Sequence, residues 1–183
     1  MILPPWPSTP PRHGPVVLRE VAPKDVAMAR ELSTDPYVPQ TGSLPFDASS
    51  EDGLAWVTRQ QGRHSEGAGF SFAIASAVSD EAVGHCGLWL KSLDDGLGTA
   101  GYAINPRHRR LGYAVNALRA LTDFGWTVPG LLRIVLHIEP WNIASQRTAR
   151  RAGYSSQKFG VGHRIANGET RDMLVYEVVR PGA

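Results

Sequence analysis

"RHRRLGYAVNALRALTDF", residues 107–124, sets a knot of positive charge, one glycine and a helical pattern side by side. From Gly112 onward Val115, Leu118, Leu121 or Thr122, and Gly125 fall on one stripe, with Asn116, Arg119 and Asp123 opposite. That periodicity predicts an amphipathic helix burying one face. Upstream, "TAGYAINP" (99–106) reads as a strand that stops at Pro106. Downstream, "LLRIVLHI" (131–138) alternates Leu132, Ile134, Leu136 and Ile138 with Arg133, Val135 and His137, the period of a strand. Strand, helix and strand in that order predict a parallel pair of strands. Asn142 is placed to cap a further helix, which Gly153 ends where a left-handed residue is wanted.

Working outward, "VVLREV" (16–21) reads as a strand and "PKDVAMARELS" (23–33) as a helix with Pro23 in its first turn. Residues 34–46 read as a loop, and Ser49 or Ser50 caps a helix through Leu54 and Val57. "FSFAIAS" (70–76) and "AVGHCGLWL" (82–90) read as strands. The second puts Cys86, Leu88 and Leu90 on one face and His85, Gly87 and Trp89 on the other. Asn167-Gly168 signals a terminal hairpin. Five prolines in the first eleven residues predict that residues 1–14 form a disordered arm outside the fold. The remainder, 15–183, is read as a single mixed α+β domain.

A net charge of +2 is too small to imply nucleic acid by itself. The single cysteine, Cys86, excludes an internal disulfide and argues against a metal site. No apolar run approaches the roughly 20 residues of a membrane span, and no signal-peptide pattern opens the chain, so the expected compartment is the cytoplasm.

The junction from Asn105 to Gly112 is where an anion would bind. A helix's first turn offers unpaired N–H groups and the positive end of its dipole. Gly112 lets a ligand approach the backbone, and Arg109 and Arg110 supply positive charge. A basic loop ahead of a helix is also an ordinary solvated feature. Neither G-x-x-x-x-G-K-[ST] nor G-x-G-x-x-G is present, which sets aside triphosphate and dinucleotide fingerprints.

Arg109-x-x-Gly112-x-Ala114, followed by "EPWNIASQRTARRAGY" with Asn142, Ser145, Arg147, Gly153 and Tyr154, resembles the GCN5-related N-acetyltransferase (GNAT) superfamily, in its RimJ/RimL-type branch. The resemblance implies a central, mostly antiparallel sheet of about seven strands, a splayed parallel pair in its middle and about four flanking helices. It implies acetyl-CoA as donor and no metal. Arg109, Arg110, Leu111, Gly112, Tyr113 and Ala114 would form the pyrophosphate loop, while Tyr102, Ala103 and Ile104 would run beside the pantetheine. Asn142 and Ser145 would reach that arm, Ser145 as proton donor to the departing thiolate. The acceptor would be a primary amine, a protein N-terminal α-amine or a small molecule, lying between "YVPQTGSLPF" (37–46) and "FGVGHRIANG" (159–168). The protein would work as a monomer or homodimer.

Two positions depart from the family's pattern. Thr99 stands where many members carry a glutamate, and Ala149 where others carry a tyrosine acid. Three alternatives follow: His85 serves as base, a water chain takes the proton, or the fold keeps a CoA socket without the usual chemistry or with another acyl donor. His85 and Cys86, adjacent on one strand, point to opposite faces and cannot form a nucleophilic dyad. Arg147, Arg150 and Arg151 either meet the CoA 3′-phosphate or complement a helix dipole. A nucleic-acid role for the arginine-rich stretches is disfavoured by the modest charge and the lack of an aromatic platform.

Overall fold

The structure, a computed structural model, describes residues 3–164 and 168–182. Its strands are β1 (Arg12–His13), β2 (Val16–Glu20), β3 (Gly69–Ser76), β4 (Ala82–Ser92), β5 (Leu97–Ile104), β6 (Arg133–Ile138), β7 (Ser155–Arg164) and β8 (Thr170–Val179). They form one sheet in the order β1-β2-β3-β4-β5-β6-β8-β7. Every neighbouring pair is antiparallel except β5 and β6, the parallel pair expected around the helix that opens at Gly112.

That pair is only half zipped. β5 and β6 are in register at Leu97↔Arg133, Gly98↔Ile134 and Thr99↔Val135, and there the ladder stops although both strands continue. β5 stays paired with β4 on its other side as far as Ile104. β6 stays paired with β8 as far as Ile138. The two halves of the sheet therefore part beyond Thr99, leaving a notch with one free ladder edge of β5 along it.

Helices cover both faces. α4 (Tyr113–Gly125) and α5 (Ile143–Arg151) belong to one face, where Ala117, Leu118, Leu121 and Phe124 bury against Phe70, Phe72, Leu88 and Ile134. Burying Leu118 or Leu121 contributes roughly 1.5–3 kcal/mol each. On the other face lie α1 (Val26–Ser33) and α3 (Ser50–Ser65), around Met28, Leu32, Trp56, Val57 and Ala73. Ser49 caps α3, its side chain accepting from the Asp52 N–H while the Asp52 carboxylate accepts from Ser49 N–H. The expected loop 34–46 holds a further short helix, α2 (Val38–Thr41). The Asp35 carboxylate starts it by accepting from the N–H groups of Tyr37 and Val38.

The proline-rich arm is corrected by the structure. Leu3 is buried, and Trp6 packs with ring centroids 4.8 Å from Phe72 and 5.7 Å from Phe70. The Pro11 carbonyl accepts from Leu18 N–H at 2.8 Å, and Arg12–His13 pair with Val16–Val17 as an eighth strand. Prolines lack the donor a ladder needs, but they keep their carbonyl acceptor and do not stop flanking apolar side chains from burying. The expected hairpin is present as β7 and β8. Its turn residue Asn167 lies outside the described residues, and Gly168 has φ of 89°.

Candidate active site

At the mouth of the notch the chain turns from β5 into α4 through two left-handed residues, Arg110 (φ 65°) and Gly112 (φ 83°). Gly112 is the N-cap of α4 and brings no capping side chain, so the first-turn N–H groups are left for a ligand. A left-handed arginine is uncommon and costs on the order of 1–3 kcal/mol, a strain of the kind found in ligand-binding turns. Beside this turn lies a cavity of about 930 Å³. Of the residues the sequence assigned to the donor, Tyr102, Ala103, Ile104, Arg109, Arg110, Gly112, Tyr113, Ala114, Asn142 and Ser145 line it. Leu111 does not, and its side chain is exposed. The two left-handed residues, the uncapped helix start and the free edge of β5 together suit a pyrophosphate followed by an extended amide-bearing arm.

Arg109 is placed differently from the free cation expected. Its Nη2 lies 2.6 Å from Asp35 Oδ2, and its Nε donates to the Ile104 carbonyl at 3.1 Å. Asp35 is held ionised below its ordinary range by Arg109 and by the N–H groups of Tyr37 and Val38, against the cost of its burial. Arg109 thus ties the turn to β5 and, through Asp35, to α2. Arg147 and Arg151 line the same cavity, whereas the guanidinium of Arg150 sits 5.6 Å over the Tyr176 ring. Only the first two remain candidates for a distal phosphate.

α5 supplies the floor. Asn142 Oδ1 accepts from Ser145 N–H at 3.0 Å, so the capping role read from the sequence is real and fixes Ser145 at the helix start. The Tyr102 hydroxyl is buried beside Ser145 and Thr148 with no well-formed hydrogen bond among the described residues, and burial raises its pKa. A buried phenol without a partner is a donor waiting for an acceptor. The resemblance set Tyr102 beside the pantetheine through its backbone, and nothing local in the sequence marks its hydroxyl, which α5 buries from a distant segment. Ala149 is fully buried in the core.

A second cavity, about 430 Å³, lies against the first and shares Tyr37, Val38, Thr41, Tyr102, Ala103, Asn142 and Ser145 with it. Trp56 and Trp89 form aromatic walls, with Leu44, Leu136 and Met173 among the apolar ones. Trp89 lies over Gly87 and Gly101. A Cβ on Gly87 would stand 2.8 Å from the indole, and one on Gly101 would stand 3.1 Å away, so both glycines are needed for its placement. Thr99 lines this cavity as a half-buried residue. The outer wall is braced by Arg171 of β8, which bonds Glu139 at 2.7 Å and Gln40 of α2 at 2.8 Å. Residues 37, 38, 41–44 line the cavity as the sequence implied. The other expected wall, 159–168, has side chains that, apart from Gly162 and Gly168, lie outside those described.

His85 also faces this cavity, while Cys86 is buried in the core on the other side of β4 with its thiol pKa pushed up by burial. The two do not form a pair, as the alternation required. His85 Nε2 lies 2.7 Å from Ser71 Oγ, and the Ser71 hydroxyl donates to Gln60 Oε1 at 3.0 Å. With that hydroxyl proton committed, His85 donates from Nε2 and keeps Nδ1 as its acceptor. Trp56 meets the imidazole edge to face at 4.9 Å. Burial, and then the charge of Arg63, lower the imidazole pKa from 6.5 to about 4. His85 is therefore neutral at neutral pH. Taking a proton from an α-ammonium of pKa about 8 would be uphill by roughly four units. Trp56, Gln60, Arg63 and Leu136 belong to this cavity and were not singled out from the sequence; α3 and β6 bring them in from distant segments.

Residues 16–155 match the family model described as an acetyltransferase (GNAT) domain. The uncharacterized N-acetyltransferase YnaD of Bacillus subtilis (strain 168) is 26% identical over 148 residues, 79% of this chain and 81% of that one. The match to the uncharacterized N-acetyltransferase p20 of Bacillus licheniformis, 26% over 115 residues, spans 63% of this chain and 65% of that relative. Among solved structures, Mycobacterium smegmatis RimJ in complex with CoA-disulfide has the same fold, with a TM-score of 0.78 at 21% identity over 95% of this chain and 88% of that one. The split sheet, the uncapped glycine turn and the family match together identify the chain as a member of the GNAT family, an acetyl-CoA-dependent N-acetyltransferase.

Proposed function

We propose that this enzyme moves the acetyl group onto a primary amine, the α-amine of a protein N-terminus or a small-molecule amine, by direct attack with both substrates bound. The observation that carries the reading is the meeting of two cavities at Tyr102, Ala103, Asn142 and Ser145, below the point where β5 and β6 part. Acetyl-CoA supplies an activated thioester carbonyl. The first-turn N–H groups of α4, with Arg110 and Gly112, hold the pyrophosphate. The free edge of β5 from Tyr102 to Ile104 takes the amides of the arm as an added strand takes its neighbour. An N–H near Ala103 or Ile104 polarises the acetyl oxygen.

Proton handling follows from the side chains at hand. An ammonium has no lone pair, and His85 at about 4 is too weak a base to deprotonate it at rest. The amine therefore reacts as its neutral fraction, its first proton left to bulk solvent. Neutral His85 orients it by accepting a hydrogen bond at Nδ1, and the second proton, shed as the C–N bond forms and the C–S bond breaks, restores the one given to the sulfur. Ser145 Oγ, backed by the Tyr102 hydroxyl, holds the proton that the leaving sulfur needs. The test is thiol release from acetyl-CoA with a panel of amines and peptides, varying both substrates. Intersecting initial-rate lines are expected. Parallel lines, or an acetylated enzyme isolated without acceptor, would contradict direct attack.

A further inference from the structure

Among its described residues, the lining of the acceptor cavity carries formal charge of one sign. Among the described residues that line it there is no aspartate or glutamate, while Arg63 of α3 is part of the wall. Two acids outside the lining have arginine partners, although Glu139 keeps its other oxygen buried without a hydrogen bond among the described residues and its charge reaches Tyr37 of the wall. Asp35 holds Arg109, and Glu139 holds Arg171.

Arg63 is itself poorly satisfied. Its Nε is buried with no hydrogen-bond partner among the described residues. Its nearest carboxylate, Glu66, is a neighbour on the surface at 3.9 Å, beyond hydrogen-bond reach. Arg63 is one helical turn from Gln60, which closes the Ser71 and His85 chain, so the guanidinium belongs to the end of the cavity where the amine is oriented. A polyamine placed here would meet a cation and, among the described lining residues, no carboxylate. A carboxylate would meet a planar donor suited to it. The rest of the wall, with Trp56, Trp89, Leu44 and Leu136, favours an apolar or aromatic body.

We infer that the acceptor is a small amino carboxylic acid with an apolar side chain, its carboxylate held by Arg63 and its amine presented beside His85. This rests on the acetyl-transfer reading and narrows it. It sets polyamines, lysine side chains and the N-termini of C-terminally blocked peptides below free amino acids. The test compares L-phenylalanine, phenylalanine amide, phenethylamine, spermidine and a C-terminally blocked peptide in the thiol-release assay, on the wild type and on Arg63→Gln.

The expected result is a kcat/KM for L-phenylalanine about tenfold or more above that for the amide or phenethylamine, a difference of one arginine–carboxylate contact. That ratio falls toward unity in Arg63→Gln, whose folding is checked by its thermal transition. Phenethylamine, spermidine or the blocked peptide outperforming L-phenylalanine would overturn the inference and leave the transfer reading intact. If no amine is turned over although CoA binds, the transfer reading fails, and quenching of the protein's tryptophan fluorescence still decides. Tighter binding of L-phenylalanine than of phenethylamine, lost in Arg63→Gln, supports the carboxylate site; equal binding overturns it.

Discussion

The cavity proposed for the donor and the one proposed for the acceptor share a wall but are built in opposite ways. The donor side is made of backbone: two left-handed residues, an uncapped helix start and the unzipped edge of β5. The acceptor side is made of side chains delivered by α2, α3, β4, β5, β6 and β8. Backbone geometry tolerates variation in everything except the few residues that permit it. A side-chain pocket changes with every residue that lines it. One half of the site is therefore fixed by the fold, and the other is free to define the substrate.

The sharpest way to separate the halves is Gly112→Val. A branched residue at φ 83° is strained by on the order of 1–3 kcal/mol and also fills the space the ligand needs, so CoA affinity should drop by about 100-fold. Isothermal titration with CoA measures it, and amine binding to the unloaded protein should change little. Retained CoA affinity would show that the turn is not the donor's anchor.

His85 probes the other half. His85→Phe removes the acceptor atom offered to the amine and should lower kcat/KM for the amine by about tenfold, with CoA binding unchanged; His85→Gln, which keeps an acceptor oxygen, should lose less. The wild-type rate should rise with pH toward the pKa of the acceptor amine used, with no inflection near 6.5. An inflection near 6.5 would return His85 to the role of resting base. The same group predicts an acid limb in stability. Its folded pKa of about 4 lies below the ordinary 6.5, so the unfolded chain binds the proton first. The stability tied to neutral His85 is complete above 6.5 and is lost as pH falls from there toward about 4. Denaturant midpoints across that range, compared with His85→Gln, read this out.

Smaller effects test the shared wall. In Gly87→Ala the new Cβ would stand 2.8 Å from the Trp89 ring, so the indole must shift. The KM for the amine should rise about fivefold, a cost near 1 kcal/mol, while that for acetyl-CoA stays put. Asn142→Ala removes the cap over Ser145 N–H. It should cost about 1 kcal/mol of stability and lower kcat modestly with both substrates, since both cavities touch that residue.

The same division explains what could be read from the residues alone. Arg109, Gly112 and Ala114 lie within six positions of one another, and Asn142 and Ser145 share one helical turn, so the residues that line the proposed donor cavity are local in the chain and legible there. The period-2 alternation of β4 placed His85 and Trp89 on one face and Cys86 on the other, as found. Local signals stopped where tertiary contacts began. Nothing in "VTRQQGRHSE" marks Gln60 and Arg63 as cavity residues, because α3 meets β3 and β4 only in the folded sheet. Arg109 looked like a free cation because Asp35, its partner, is 74 positions away in sequence. The proline-rich arm misled for a related reason. Proline content reports on missing donors, whereas Leu3 and Trp6 are held by apolar contact.

Where CoA lies, and what its sulfur faces, decides whether the two cavities act as one site. A crystal structure of the protein with CoA should show the pyrophosphate on the N–H groups from Arg110 to Ala114, the pantetheine arm along β5 from Tyr102 to Ile104, and the sulfur at the meeting of the two cavities beside Ser145 and Tyr102. CoA bound outside the notch between β5 and β6, or a sulfur turned away from the cavity that holds His85 and Arg63, would contradict a single site.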